Sequence, residues 1–279
     1  MTWEVMASPN GPSYGGRMAS QVGELLRGWR TRRHLSQLDL AVGAGVSTRH
    51  LSYVETGRST PSPELVLSLA EHLEVPLRER NTLLLAAGYA PRYRETSLDD
   101  GAMSPVRASI QRMLDAHDPY PALVVDRRWD LVMANRATFG LVGLLPEHLL
   151  RSPINVYRIT LSPDGLASRS SNTGEWVASW LDGLRRHATL TADPVVEELY
   201  DEVIGYPASI RALAERVELP EAPEVVVSID LATPAGPLSM FTTLTTFGTA
   251  LDVTLDELAV ELFWPADAAS GEVLRALAG

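Results

Sequence analysis

Between Gln21 and Ala87 the chain carries five short helical segments, each closed off by capping or turn residues, and this punctuation restricts that stretch to a small all-helical domain. Val22, Leu25, Leu26 and Trp29 fall at i, i+3, i+4 and i+7, the stripe of an amphipathic helix that runs to about Arg33. Ser36 stands where an N-cap belongs, and Asp39, three residues on, can serve the first-turn amides of a short second helix. Gly43 to Gly45 supply a tight turn, Ser47 caps a third helix from Thr48 to about Thr56, and Gly57 closes it. Pro61 and Pro63 open a fourth helix carrying Leu65, Leu67, Leu69, Ala70 and Leu73, and Pro76 precedes a fifth that ends near Ala87.

The rest of the chain has a different texture. Residues 1–19, rich in Gly, Ser, Pro and Met, read as a flexible leader, residues 20–88 as the helical domain, and the Pro/Gly-punctuated residues 89–104 as a linker. Residues 105–279 then open with a helix from Pro105 to Ala116 and two strand-like runs, Pro121 to Asp126 and Trp129 to Ala134, split by an Arg127-Arg128 turn. Helical stretches are expected around 136–145, 174–188, 194–204 and 207–216. Three Val-, Thr- and Phe-rich strands (Glu224 to Leu231, Gly236 to Thr246, Ala250 to Trp264) and a closing helix from Ser270 complete an α+β domain.

Charge separates the two halves. The formal net charge of −11 argues against a polyanionic partner when taken over the whole chain. From Arg17 to Arg94, however, 11 arginines face 7 acidic residues, whereas Glu95 to Gly279 holds 13 arginines against 27 acids. The helical end is thus the one suited to a phosphate backbone. With no cysteine, disulfides, thiolate metal sites and cysteine nucleophiles are excluded. The six histidines show no metal-ligand spacing, so no metal or cofactor is expected. Glycine-rich phosphate loops, Gly-x-Ser-x-Gly and His-Glu-x-x-His are all missing from the sequence, which argues against an enzyme. No apolar run approaches the ~20 residues that span a bilayer, and the first residues do not read as a secretory signal, so a cytoplasmic location is expected.

Specific positions of the helical domain go further. Leu35-Ser36-Gln37, Leu40-Ala41, Gly45-Val46-Ser47, Leu51-Ser52, Glu55, Gly57-Arg58, Pro61-Ser62, Leu69-Ala70 and Leu73 together resemble the helix-turn-helix domains of the XRE/Cro family of transcription regulators. Small Ala41 lets helices two and three approach, Val46 and Leu51 anchor helix three, and Glu55 with Gly57-Arg58 fixes its exit. The resemblance implies that helix three lies in the major groove of double-stranded DNA. Gln37, Thr48, Arg49, Ser52 and Tyr53 are then the base-contact candidates, with Arg49 suited to a bidentate guanine contact, and Arg30, Arg33 and Arg58 the phosphate-contact candidates. A homodimer on a pseudo-palindromic operator is the partner arrangement implied.

In the second domain, Pro121, Leu123-Val124, Asp126-Arg127, Trp129-Asp130-Leu131 and Asn135, with Pro153, Asn155 and Glu175-Trp176, resemble the MmyB-like ligand-binding domain, a PAS-like fold. The resemblance implies an apolar, fatty-acid-like ligand, although Leu231 to Pro237 lacks the family's histidine element. By residue type, Leu123, Val125, Trp129, Val132, Met133, Met240, Phe241 and Phe247 are the candidate pocket residues. A protein partner bound by this domain, as in an antitoxin or antagonist-controlled repressor, is the alternative.

Overall fold

The computed structural model describes residues 14–214 and 226–279, and the chain divides after Arg94 into two compact units. The ends of two expected elements, 215–216 and 224–225, lie outside the described residues, as do residues 1–13.

The first unit is all helical: α1 (Tyr14–Arg32), α2 (Gln37–Gly43), α3 (Thr48–Glu55), α4 (Pro63–His72) and α5 (Leu77–Ala86). Its caps follow the sequence closely. Ser36 accepts from the Asp39 amide while Asp39 reaches back to the Ser36 amide, a reciprocal capping box. Ser47 accepts from the His50 amide, and Ser62, just ahead of Pro63, from that of Leu65. The apolar stripe of α1 (Val22, Leu26, Trp29) is buried with Leu40, Leu51, Val54, Val66, Leu69 and Leu84. Two glycines are demanded by this geometry. A Cβ on Gly23 would lie 2.4 Å from the Val54 carbonyl oxygen where α1 meets α3, and Gly45 turns the chain from α2 into α3 at φ +68°.

Two expectations about the flanks are corrected. Residues 14–19, read as leader, belong to α1, and Ala19 is buried. Residues 89–104 are not a free linker. Asn81 bonds the backbone of Arg92 and Tyr93, holding the end of the first unit. Within the second unit, Thr96 donates to Asp252 at 2.7 Å, and Met103 is buried at the foot of the next helix.

The second unit holds a five-stranded antiparallel sheet in the order β2-β1-β5-β4-β3, formed by β1 (Ala122–Val125), β2 (Leu131–Ala134), β3 (Ile229–Thr233), β4 (Gly236–Thr246) and β5 (Ala259–Pro265). Helix α6 (Ser104–Ala116) covers one face through Ile110 and Leu114, against Ala122, Val124, Leu258 and Val260. Against the other face lies the larger core, built with α7 (Arg136–Val142), α8 (Val156–Leu161), α9 (Thr173–Thr191), α10 (Pro194–Val203), α11 (Pro207–Ala214) and α13 (Ala268–Ala278). Strand β1 is buried on both faces, which is why it reads as an unbroken apolar run. The expected strand from Ala250 starts only at Ala259. Asp252 accepts from the Thr254 amide and caps a short helix, α12 (Val253–Asp256), in the preceding residues.

Candidate nucleic-acid interface and cavity

Helix α3 is oriented by a buried ion pair. Glu55, at its last turn, has a side chain only 1% exposed and takes a two-point contact from Arg30 of α1, at 2.7 and 3.0 Å. The third nitrogen of that guanidinium donates to the Leu35 carbonyl at 2.8 Å, and the Gln37 amide donates to Glu55 at 2.7 Å. The hydrogen bonds from Arg30 to Glu55 outweigh the burial that opposes them and raise the guanidinium pKa above its ordinary value. One carboxylate therefore ties α1, the start of α2 and the end of α3 into a fixed geometry.

Three of the expected contact residues have partners within the first unit. Arg30 bonds Glu55 and the Leu35 carbonyl. Arg33 donates to the Leu73 and Glu74 carbonyls at 2.9 and 3.1 Å, capping the end of α4, with its guanidinium 5.3 Å from the Trp29 ring centre. The nitrogen of Gln37 is held by Glu55, which links the start of α2 to the end of α3. The remaining residues do gather on α3. Arg49 is exposed, donates from Nε to the Tyr53 hydroxyl at 3.0 Å and lies 5.4 Å from that ring's centre. Arg58 approaches the same ring at 6.0 Å. Thr48, Ser52 and Tyr53 are half-buried beside them. Two guanidinium groups stacked about one aromatic ring form an oriented cationic surface.

In the second unit the sheet, α7, α8 and α9 border an apolar cavity of about 30 Å³. Such a volume holds a water or two. Of the expected pocket residues, only Leu123 and Met240 line it. Val125 is buried in the surrounding core, and Trp129 packs edge-on against Tyr157 and His187 with ring centres 5.0 and 6.0 Å away. Val132 is 38% exposed, while Met133 and Phe247 pack with the α6 cluster on the opposite face. Phe241, half-buried, pairs across the sheet with Trp264, out of register with the lining residues. The physical cause is the two-residue period of a strand: of the pairs Val132-Met133 and Met240-Phe241, at most one member can face a given side.

Among the lining residues that residue type overlooked are Phe263 and Ile229 on the strands, Leu141 and Val142 on α7, Val156 and Ile159 on α8, and Trp176 and Trp180 on α9. A usable signal existed for some of them. Trp176 lies in the Glu175-Trp176 motif, and its indole donates to Ser170 at 3.0 Å. Asn155, also a motif residue, caps α8 and ties it to the β1–β2 turn by donating to the Arg128 carbonyl and to Asp130 at 2.8 and 2.9 Å. In that turn Asp126 accepts from the Arg128 and Asp130 amides, and burial raises its carboxyl above the usual range despite those bonds. Asn135 caps α7 as expected, accepting from the Thr138 amide, and its nitrogen donates to the Leu114 and Tyr120 carbonyls.

Comparison with known proteins agrees with this division. Residues 106–277 match the MmyB-like transcription regulator ligand binding domain, and residues 21–83 a helix-turn-helix domain. The HTH-type transcriptional regulator RghRB of Bacillus subtilis, described as uncharacterized, is 38% identical over 77 residues, which are 27% of this chain and 53% of RghRB. The chain thus spans about half the length of that relative. Among solved structures, the clp gene regulator ClgR of Corynebacterium glutamicum is similar over 37% of this chain and 95% of ClgR, at 24% identity and a TM-score of 0.23. The chain belongs to the MmyB-like transcription regulators, with an N-terminal helix-turn-helix domain and a C-terminal α+β ligand-binding-family domain. It is a regulator, not an enzyme.

Proposed function

We propose that the protein binds a specific double-stranded DNA operator through α3 and that occupancy of the second-unit cavity by a small apolar molecule adjusts that binding. The observation that carries the first part is the exposed Arg49–Tyr53–Arg58 stack on a helix held rigid by Glu55. Arg49 presents its fork to a guanine, oriented by the Tyr53 hydroxyl, with Thr48 and Ser52 contacting neighbouring base edges and Arg58 the phosphate backbone. Two copies place two such helices in successive major grooves of a pseudo-palindrome, with half-sites about one helical turn apart. DNA as the partner puts the protein in the cytoplasm.

The second part rests on a largely apolar cavity inside a domain of the ligand-binding family. The void is far smaller than the roughly 300 Å³ at which ligand pockets begin. Ligand entry must therefore move α8 and α9 away from the sheet and select a conformation different from the closed one, which is the element an effector needs to shift a population. The test is binding to duplex DNA from upstream of the protein's own gene, with competitor DNA, at two salt concentrations. Specific, salt-sensitive binding that Arg49→Ala weakens supports the reading, and a specific complex indifferent to Arg49→Ala overturns the α3 assignment.

A further inference from the structure

The edge of a β-sheet presents unpaired backbone N–H and C=O groups, and the second unit covers its edges unequally. Strand β2 is only four residues long, shifts register beside β1, and is met at its start by residues 154–156. There Leu131 donates to the Ile154 carbonyl at 2.7 Å and Val156 to that of Trp129 at 2.9 Å. Strand β3 is met by residues 170–172, Ser171 donating to the Asp230 carbonyl at 3.1 Å and the Asp230 amide to the Asn172 side chain at 3.0 Å. Strand β4 is different. Its pairing with β3 stops at Met240, whereas its pairing with β5 continues to Thr246, so Thr242 to Thr246 have no strand on their outer side among the described residues.

The register identifies the unpaired groups. Ala266 donates to the Ser239 carbonyl at 2.9 Å, next along from the Met240–Pro265 pair, so Ser239, Phe241, Thr243 and Thr245 turn their backbone groups toward β5. The N–H and C=O groups of Thr242, Leu244 and Thr246 therefore point away from the sheet. Thr243 to Thr246 are exposed, with Leu244 at 53%. The usual guards of an open edge are missing from its sequence: residues 236–251 carry no charge, and Thr242 to Thr246 include no proline.

The stretch also reads the same in both directions, Thr-Thr-Leu-Thr-Thr. Antiparallel pairing with a second copy, about a two-fold axis at Leu244, sets Leu244 opposite the partner's Leu244 and Thr242 opposite the partner's Thr246. These are the residues whose backbone groups face outward, so each pair exchanges both hydrogen bonds and no outward group is left over. Threonine meets threonine on either side of the axis, a favoured cross-strand pair, and the two leucines meet on one face. Two acidic units are thereby joined where neither carries charge. The contact is isologous, so it occupies the edge completely and closes at two copies.

We propose that Thr242 to Thr246 form a homodimer interface through which two second units join their sheets edge to edge. The inference rests on the two-copy arrangement proposed above and adds the surface that makes the pair.

The experiment is sedimentation of the full-length protein over a concentration series, combined with register-specific cross-linking. The chain has no cysteine, so a substituted one is its only thiol. Leu244→Cys sets two thiols directly opposite each other, on Cα atoms about 5.5 Å apart, and a short bifunctional thiol reagent should join most dimers. Thr242→Cys leaves its two thiols roughly 14 Å apart along the strands and should join few. Leu244→Lys, which opposes like charges across the axis, should weaken the dimer about ten-fold, and an equimolar mixture of Leu244→Lys and Leu244→Glu should restore it. Phe139→Lys, on the exposed side of α7, should leave it unchanged. A dimer that Leu244→Lys leaves intact, or that cross-links as well through Thr242→Cys as through Leu244→Cys, overturns the edge pairing and leaves the two-copy reading standing. A wild-type chain that is a monomer in solution and binds singly to the upstream duplex overturns both.

Discussion

The two units each bury a glutamate, and they treat it in opposite ways. Glu55 is met by the Arg30 fork and the Gln37 amide, so its charge is neutralised where it sits. Glu261 has one partner, Thr242, and an oxygen with none among the described residues. Low dielectric makes the first arrangement rigid, because every polar atom loses by leaving its place. The same low dielectric makes the second one costly, because desolvation is offset by so little. Under the proposed function, fixed geometry suits a helix that reads DNA, and an unmet polar atom suits a domain that gains on binding a ligand.

Breaking the satisfied site has the largest expected effect. Glu55→Ala leaves Arg30 charged and unpaired, and urea denaturation of the protein should show a loss of about 3–5 kcal/mol from the first unit. Loss of less than ~1 kcal/mol would mean that water already serves Arg30 and that the ion pair does not hold α3.

The unsatisfied site is tested by pH. Because burial raises the Glu261 pKa from its ordinary value to about 7, the folded state binds a proton more tightly than the unfolded one. Its contribution is therefore fully present below the unfolded value of 4.5 and lost as pH rises through about 7. The loss amounts to about 3 kcal/mol, and Glu261→Gln should remove that slope from the stability–pH profile. An identical slope in the variant would place the titration elsewhere.

Function distinguishes the residues around α3 by smaller amounts. Arg49→Ala should cost about 1–3 kcal/mol of specific operator binding and relax the preference at one base position, read by competition among operator variants. Tyr53→Phe keeps the ring under Arg49 but removes the hydroxyl that orients it, so no more than about 1 kcal/mol of specific binding should be lost, with non-specific binding unaltered. An equal loss in both modes would turn Tyr53 into a general contact.

Much of the first unit was legible because its signals are local. Caps at Ser36, Ser47 and Ser62, the turn at Gly45 and the stripe on α1 all act within one helical turn of themselves. In the second unit the same holds for the β1–β2 hairpin and for Asn135, whereas α8 has only Asn155 to announce it. The charge asymmetry likewise pointed to the correct end of the chain for DNA, but could not separate Arg49 from Arg30.

The sequence by itself determined the two-part organisation, the helix-turn-helix and the family, since these depend on spacing and residue type. Tertiary structure alone decided which arginines find partners inside the first unit, because Arg30 finds Glu55 across 25 residues and Arg33 finds the end of α4 across 40. It also decided which apolar residues border the cavity. Leu123, Met240, Phe263 and Trp176 come together through strand register and helix packing, and such long-range pairings leave no mark in any short window of sequence.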